Sequence, residues 1–244
     1  MSVVEKINRK RSNIQKIMNN TFIWSTIAFD ALDEKFNDTA FLQKGQFEVP
    51  SKKGTREIKR SEDKAKLLLE DAIGFELYFS LISYIVAQFE GFLSDIIKII
   101  LEHDSRKLLI CVTGINHQKN VKLDRIVLSD SKESLVSELI NDEIISIFYA
   151  SPKKQCEYFK TVLGIELSLE HCTSWFEYKA TRDLIVHNNG IVNDIYLAKA
   201  ISNARNALGE KISVDGEYFE SMIKILKSFS GKISTSVKLL YADK

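Results

Sequence analysis

The sequence predicts an all-α protein, and three observations carry that prediction. Only 2 prolines and 10 glycines interrupt 244 residues, too few breakers for a strand-and-turn protein of this length. Apolar residues recur at intervals of three and four over long stretches, which is the period of a helix. Start and stop signals bracket those stretches. With 45% hydrophobic residues the chain can bury one sizeable core. The expectation is a single domain over 1–244, a bundle of four or five main helices in which 104–168 is set apart as a helical insertion.

The first element is a long helix over 3–36, where Ile7, Ile14, Ile17, Phe22, Ile27 and Phe29 stand at helical intervals and Asn19-Asn20-Thr21 is the place for a break. A polar, basic connection follows from Asn37 to Arg60, carrying Gly45, Pro50 and Gly54, with its middle exposed and mobile. Ser61 reads as an N-cap, with Glu62 and Asp63 in the first turn where the helix dipole favours acids. From 62 to 102, Leu68, Ala72, Phe75, Phe79, Ile82, Val86, Phe89, Leu93, Ile96 and Ile100 form an unbroken apolar seam, about 60 Å of helix. Leu77, Leu81, Ile85, Phe92 and Ile99 widen it, which predicts a central helix buried on more than one side. Glu76, Gln88, Glu90 and Asp95 interrupt the stretch and argue against a membrane span. Glu90 is either a buried polar partner or a solvent-facing residue.

Residues 104–129 are less regular. Leu108–Val112 fits a short strand or a continuation of the helix, and Gly114–Asn120 is a loop. Asp130-x-x-Glu133 resembles a capping box for a helix ending near Phe148. Ser151-Pro152 starts another helix, which Gly164 stops. Leu169 to Asn188 is the next helix, with Trp175, Tyr178, Leu184 and Ile185 along it, and Asn188-Asn189-Gly190 ends it. Ile191-Val192 is an extended link. Asp215–Tyr241 closes the chain, with Phe219, Met222, Ile223, Ile225 and Leu226 turned inward.

The net charge of +1 means that any RNA contact must come from local patches rather than a global field. The candidates are Lys52, Lys53, Arg56, Lys59 and Arg60 in the basic connection. Arg9-Lys10-Arg11 and Lys153-Lys154 are further clusters. Lacking interleaved aromatics, such clusters are more often solvated surface. Cys111, Cys156 and Cys172 are widely spaced and odd in number, which argues against a disulfide framework and suits a reducing cytoplasm. No apolar core of signal-peptide length follows the charged N-terminus. His103, Cys111 and His117 form no zinc pattern, and His171-Cys172 are adjacent rather than at ligand spacing, so no metal is expected. With no Walker loop, dinucleotide fingerprint or nucleophile elbow, no cofactor is expected either.

The chemistry concentrates in Arg182-Asp-Leu-Ile-Val-His187. A guanidinium grips two phosphoryl oxygens at once, and histidine moves protons near neutral pH. Together they suffice for metal-free RNA cleavage, in which the 2′-hydroxyl attacks the adjacent phosphate and leaves a 2′,3′-cyclic phosphate. On a regular helix residues five apart lie about 140° apart, so Arg182 and His187 diverge unless the helix distorts or the long arginine side chain wraps round, and the offset suggests a complete site drawn from two subunits. Asp183, four residues before His187, shares its face and is placed to hold a ring nitrogen. Tyr178, four before Arg182, is placed to brace it. The same run has a purely structural reading, because cations at a helix C-terminus meet the dipole and Asn-Asn-Gly is an ordinary stop.

The run Trp175-Phe-Glu-Tyr-Lys-Ala-Thr-Arg-Asp-Leu-Ile-Val-His-Asn-Asn-Gly-Ile-Val-Asn193 resembles the Arg-x4-6-His signature of the HEPN superfamily. Ala87-Gln-Phe-Glu-Gly-Phe-Leu-Ser-Asp-Ile-Ile97 is similar to the long first-half helix of those bundles. The resemblance leaves 104–168 unexplained. By it, Arg182 and His187 match the catalytic pair, Asp183 the polar residue after the arginine, and Asn188 the residue after the histidine. It implies a four- or five-helix bundle, a homodimer whose two signatures face each other across a cleft, and metal-independent endoribonuclease activity. Members often belong to toxin–antitoxin or antiviral defence systems, so an antitoxin or defence partner is implied as well. Some members are inactive, which gives the alternative of a non-catalytic module for dimerisation or for binding RNA or protein.

Overall fold

The computed structural model describes residues 1–118 and 120–241, and 74% of it is helix. Helix α1 (Val3–Phe36) starts on a capping box between Ser2 and Glu5. It runs unbroken through Asn19-Asn20-Thr21. The Thr21 hydroxyl donates back to the Ile17 carbonyl (2.9 Å) and Lys227 donates to Asn19 (2.9 Å), so local polar groups that favour a break are engaged instead.

The basic connection is structured. Asp38 caps a short helix, α2 (Thr39–Lys44), which Gly45 ends in the left-handed region at φ 54°. Strands β1 (Gln46–Ser51) and β2 (Gly54–Lys59) then form an antiparallel hairpin with Ser51 opposite Gly54. Phe47 anchors it on a small apolar cluster with Leu42, Ala65 and Leu69. The two turn residues are Lys52-Lys53 rather than the Asn-Gly type that announces a hairpin, which is why the charge run reads as a loop.

Helix α3 (Glu62–Asp71) begins at Ser61, passes through one π-helical turn (Ala72–Glu76) and continues as α4 (Leu77–His103). By length and composition Glu62–His103 could cross a membrane. From Phe79 to Leu101, however, α4 places twelve residues in the core of the bundle. Of Leu108–Val112, expected as a strand or a helix extension, the first two residues close a 3-10 turn (Ser105–Leu109) and the rest form no regular element; within the expected loop Gly114–Asn120, Lys119 lies outside the described residues, and α5 (Leu123–Leu128) comes next. Helix α6 (Lys132–Tyr149) is capped by Ser131, which accepts from the Ser134 N–H (3.0 Å), one residue later than the Asp130 box. Helix α7 is Pro152–Thr161, α8 is Leu169–Asn188, α9 is Asp194–Ala200 and α10 is Gly216–Tyr241. The short α9, capped by Asn193, carries no long apolar period and escapes the sequence reading.

Among the described residues five helices reach 18 residues or more, α1, α4, α6, α8 and α10. Helix α4 is the axis, and the other four pack against it. Phe89 is the hub, with ring centroids 5.4 Å from Phe92, 5.1 Å from Trp175 on α8 and 5.3 Å from Phe229 on α10. Ile140, Ile144 and Ile147 of α6 belong to the same buried cluster. Contrary to the cysteine count, Cys156 and Cys172 are joined in a disulfide between α7 and α8, and Cys111 is the exposed odd one. An odd total therefore hid a pair that the fold brings together.

Candidate functional site

The C-terminal half of α8 carries the signature, and the helix stays regular through Asn188. Asn189 (φ 50°) and Gly190 (φ 74°) then both adopt the left-handed conformation and direct their N–H groups to the Leu184 carbonyl. Gly190 sits against α4, where an added Cβ would lie 2.8 Å from the Phe79 ring. The Ile212 N–H donates to its carbonyl (2.7 Å), and Ile191 bridges to Lys211. Asn188 uses its amide to close this turn on the Ile191 carbonyl (2.5 Å), rather than to orient His187.

Arg182 is tethered from two sides. One terminal nitrogen donates to Glu90 Oε2 on α4 (2.7 Å), and the other meets Asp183 Oδ1 at 3.1 Å. Its Nε is buried without a partner among the described residues. Glu90 also receives Lys179 (2.8 Å), whose ammonium lies over the Phe148 and Trp175 rings, and Asp183 also receives Lys199 (3.0 Å). The result is a row of alternating charges, Lys179–Glu90–Arg182–Asp183–Lys199, with one cation in excess. His187 stands in solvent beyond this row and has no hydrogen-bond partner among the described residues.

Two expected supports are placed elsewhere. Asp183 does not hold His187, because Arg182 and Lys199 take its two oxygens. Tyr178 does not brace Arg182. It is buried with its ring edge-on to Tyr218 of α10, at 5.9 Å and 74°. The brace is Glu90, which is therefore a polar partner and not a free solvent-facing residue. The hairpin cations are exposed but are not gathered beside α8. Lys52 and Lys53 form the turn, Arg56 pairs across from Val49 and Lys59 from Gln46, on opposite faces of the ribbon, and Arg60 follows the strand.

Beneath the signature lies a buried network that the sequence did not disclose. Glu177 Oε1 accepts from Thr181 (2.6 Å), Arg205 Nε (3.0 Å) and Tyr196 (3.1 Å), and Oε2 accepts from Tyr218 (2.8 Å). Arg205 also donates to Thr181 (3.1 Å) and to the Ser213 carbonyl, and its guanidinium stacks 3.7 Å from the Tyr218 centroid. Burial first, and then the Glu177 charge, push the Tyr178, Tyr196 and Tyr218 hydroxyls above the ordinary tyrosine range, so all three stay protonated. The network ties the 194–215 segment to α8 and α10 and so fixes the helix that carries Arg182. The one sequence signal was Glu177 four residues before Thr181; the distant arginine and tyrosines gave none.

A second buried pair joins the 110–118 loop to α6. His117 Nε2 lies 2.8 Å from the Val112 nitrogen and 3.2 Å from its carbonyl oxygen, and Nδ1 lies 2.8 Å from Glu143 Oε1. Among the described residues no three His, Cys, Asp or Glu side chains cluster as metal ligands.

No protein-family model matches the chain, and no curated protein or solved structure matches it either. The chemistry of this site therefore rests on its own geometry.

Proposed function

We propose that the protein is a metal-independent endoribonuclease of HEPN type. The observation that carries this reading is the state of the two signature residues. Arg182, half-buried, is oriented by two carboxylates, and His187 is presented to solvent on the same helix. In the proposed reaction the 2′-hydroxyl attacks the adjacent phosphorus, and the P–O5′ bond breaks. His187 takes the hydroxyl proton and hands it on to the leaving 5′-oxygen, and the Arg182 guanidinium balances charge on the phosphorane.

Because α8 is regular, Arg182 and His187 diverge by about 140°. A homodimer that sets two α8 ends side by side supplies the arginine of one chain with the histidine of the other. RNA is the substrate, and a toxin–antitoxin or defence pathway with a partner protein the setting. No cofactor takes part in the proposed steps.

A second reading has its own support. Both terminal nitrogens of Arg182 already meet carboxylates within one chain, as in an interhelical clamp of a non-catalytic binding or dimerisation module. End-labelled RNA incubated in chelator with wild type and with folded His187→Ala separates the two. Cleavage by the wild type alone supports the nuclease. Intact RNA with both proteins favours the clamp.

A further inference from the structure

We infer that the groove between α1 and α4 is a path for single-stranded RNA that leads to the end of α8; this rests on the ribonuclease reading and extends it to substrate binding. Lys6, Arg9, Lys10 and Lys16 recur on α1 at helical spacing, and all four line one groove of about 930 Å³. Helix α4 runs antiparallel alongside and adds Lys98 from the far side. Only Asp95 and Glu102 oppose these five cations, and Asp95 is already paired with Lys10 (2.6 Å). The groove thus holds an excess of three positive charges in a chain whose total is +1. The Arg9-Lys10 cluster, unremarkable in sequence, gains its meaning from a lysine almost ninety positions away.

The groove does not end there. It shares Lys10, Asn13 and Asp95 with an adjoining depression of about 420 Å³ that reaches Ala87 and Gly91. Ala87 and Gly91 are exposed, and a Cβ at Gly91 would meet nothing within 4 Å. They form a low saddle on α4, and Glu90, beside Gly91 in the chain, holds Arg182 across the other flank. A strand leaving the cationic groove over this saddle arrives at the signature.

The chemistry of the lining selects the occupant. Lys6 to Lys16 spans about 15 Å of helix, and a trough between two packed helices admits one strand. Ser12 and Asn13 stand among the cations, with no aromatic platform, so the contacts are to phosphate and carry no sequence information. A membrane-binding surface would instead set its cations around a protruding apolar face.

The test is fluorescence anisotropy of the full chain with a 2′-O-methyl oligonucleotide, which binds but cannot be cut. The variants are Arg9→Ala/Lys16→Ala/Lys98→Ala in the groove and Lys52→Ala/Lys53→Ala/Lys59→Ala in the hairpin, each checked for a wild-type melt. Five of these six side chains are exposed and Lys98 is half-buried, so both triples are expected to fold. Each lost phosphate contact lowers the slope of log affinity against log salt by about 0.7. The groove triple should therefore lose about 2 in slope and bind about tenfold or more weakly at low salt. The hairpin triple should stay near wild type. Equal losses in both triples, no loss in the groove triple, or no binding by wild type would each overturn the path. Loss of sedimentation with phosphatidylserine vesicles, with RNA binding unchanged, would overturn it in favour of a membrane. Binding in the groove without any cleavage of ordinary RNA would leave the path standing and remove the nuclease.

Discussion

Arg205→Met tests the idea that a buried ion pair holds the signature helix in place. Arg205 brings the one positive charge that touches Glu177 among the described residues, at 3.0 Å, and the Glu177 side chain is 4% exposed. Methionine keeps a flexible apolar stem against Tyr218 but removes the guanidinium. Breaking a buried pair from one side costs about 3–5 kcal/mol, because the other charge is left behind. Three hydroxyls, from Thr181, Tyr196 and Tyr218, still donate to Glu177, which places the cost near the lower end, about 3 kcal/mol. At about 2–4 °C per kcal/mol for a chain of this size, the melting temperature should fall by about 6–12 °C. Urea unfolding followed by circular dichroism measures the same loss directly. Adding Glu177→Gln should recover part of it, since the stranded charge is then gone. A cost below about 1 kcal/mol for Arg205→Met would refute the claim that this pair is an anchor.

Two further expectations concern the site itself. Glu90→Gln keeps the shape but frees Arg182 from its α4 tether; RNA cleavage should drop by about a hundredfold with the fold retained, and an unchanged rate would show that the tether does not position the arginine. Gly190→Ala should cost about 2–4 kcal/mol, combining the left-handed backbone with the approach to Phe79, and a stability within about 0.5 kcal/mol of wild type would contradict that geometry.

The long helices were legible because each rests on a sustained apolar period with a local end signal. The helix from Glu62 to His103 is an example, with Ser61, Glu62 and Asp63 marking its start and an apolar seam running from Leu68 to Ile100. The hairpin was not, because alternation over Phe47, Val49 and Ile58 is short and its turn is Lys-Lys. Neither was the Cys156–Cys172 bond, which depends on how α7 returns to α8. At the site, the sequence located Arg182 and His187 on one helix end and could not find their supports. Glu90 lies 92 positions from Arg182 and Arg205 lies 28 from Glu177, and helical spacing says nothing about partners at such separations. Local arithmetic offered Asp183 and Tyr178 as supports. Asp183 turned to the arginine and to Lys199, and Tyr178 went into the core, since a residue's helical face tells which way it points and not what waits there.

His187 is proposed to drive cleavage through the RNA's own 2′-hydroxyl. The most direct measurement compares an RNA with the same strand carrying a single 2′-deoxy nucleotide at the mapped cut site, in chelator, with wild type and His187→Ala. The expected result is cutting of the all-ribose strand by wild type alone, with a 2′,3′-cyclic phosphate on the upstream product and no cut at the deoxy position. Cutting at the deoxy position, or equal cutting by His187→Ala, would contradict it.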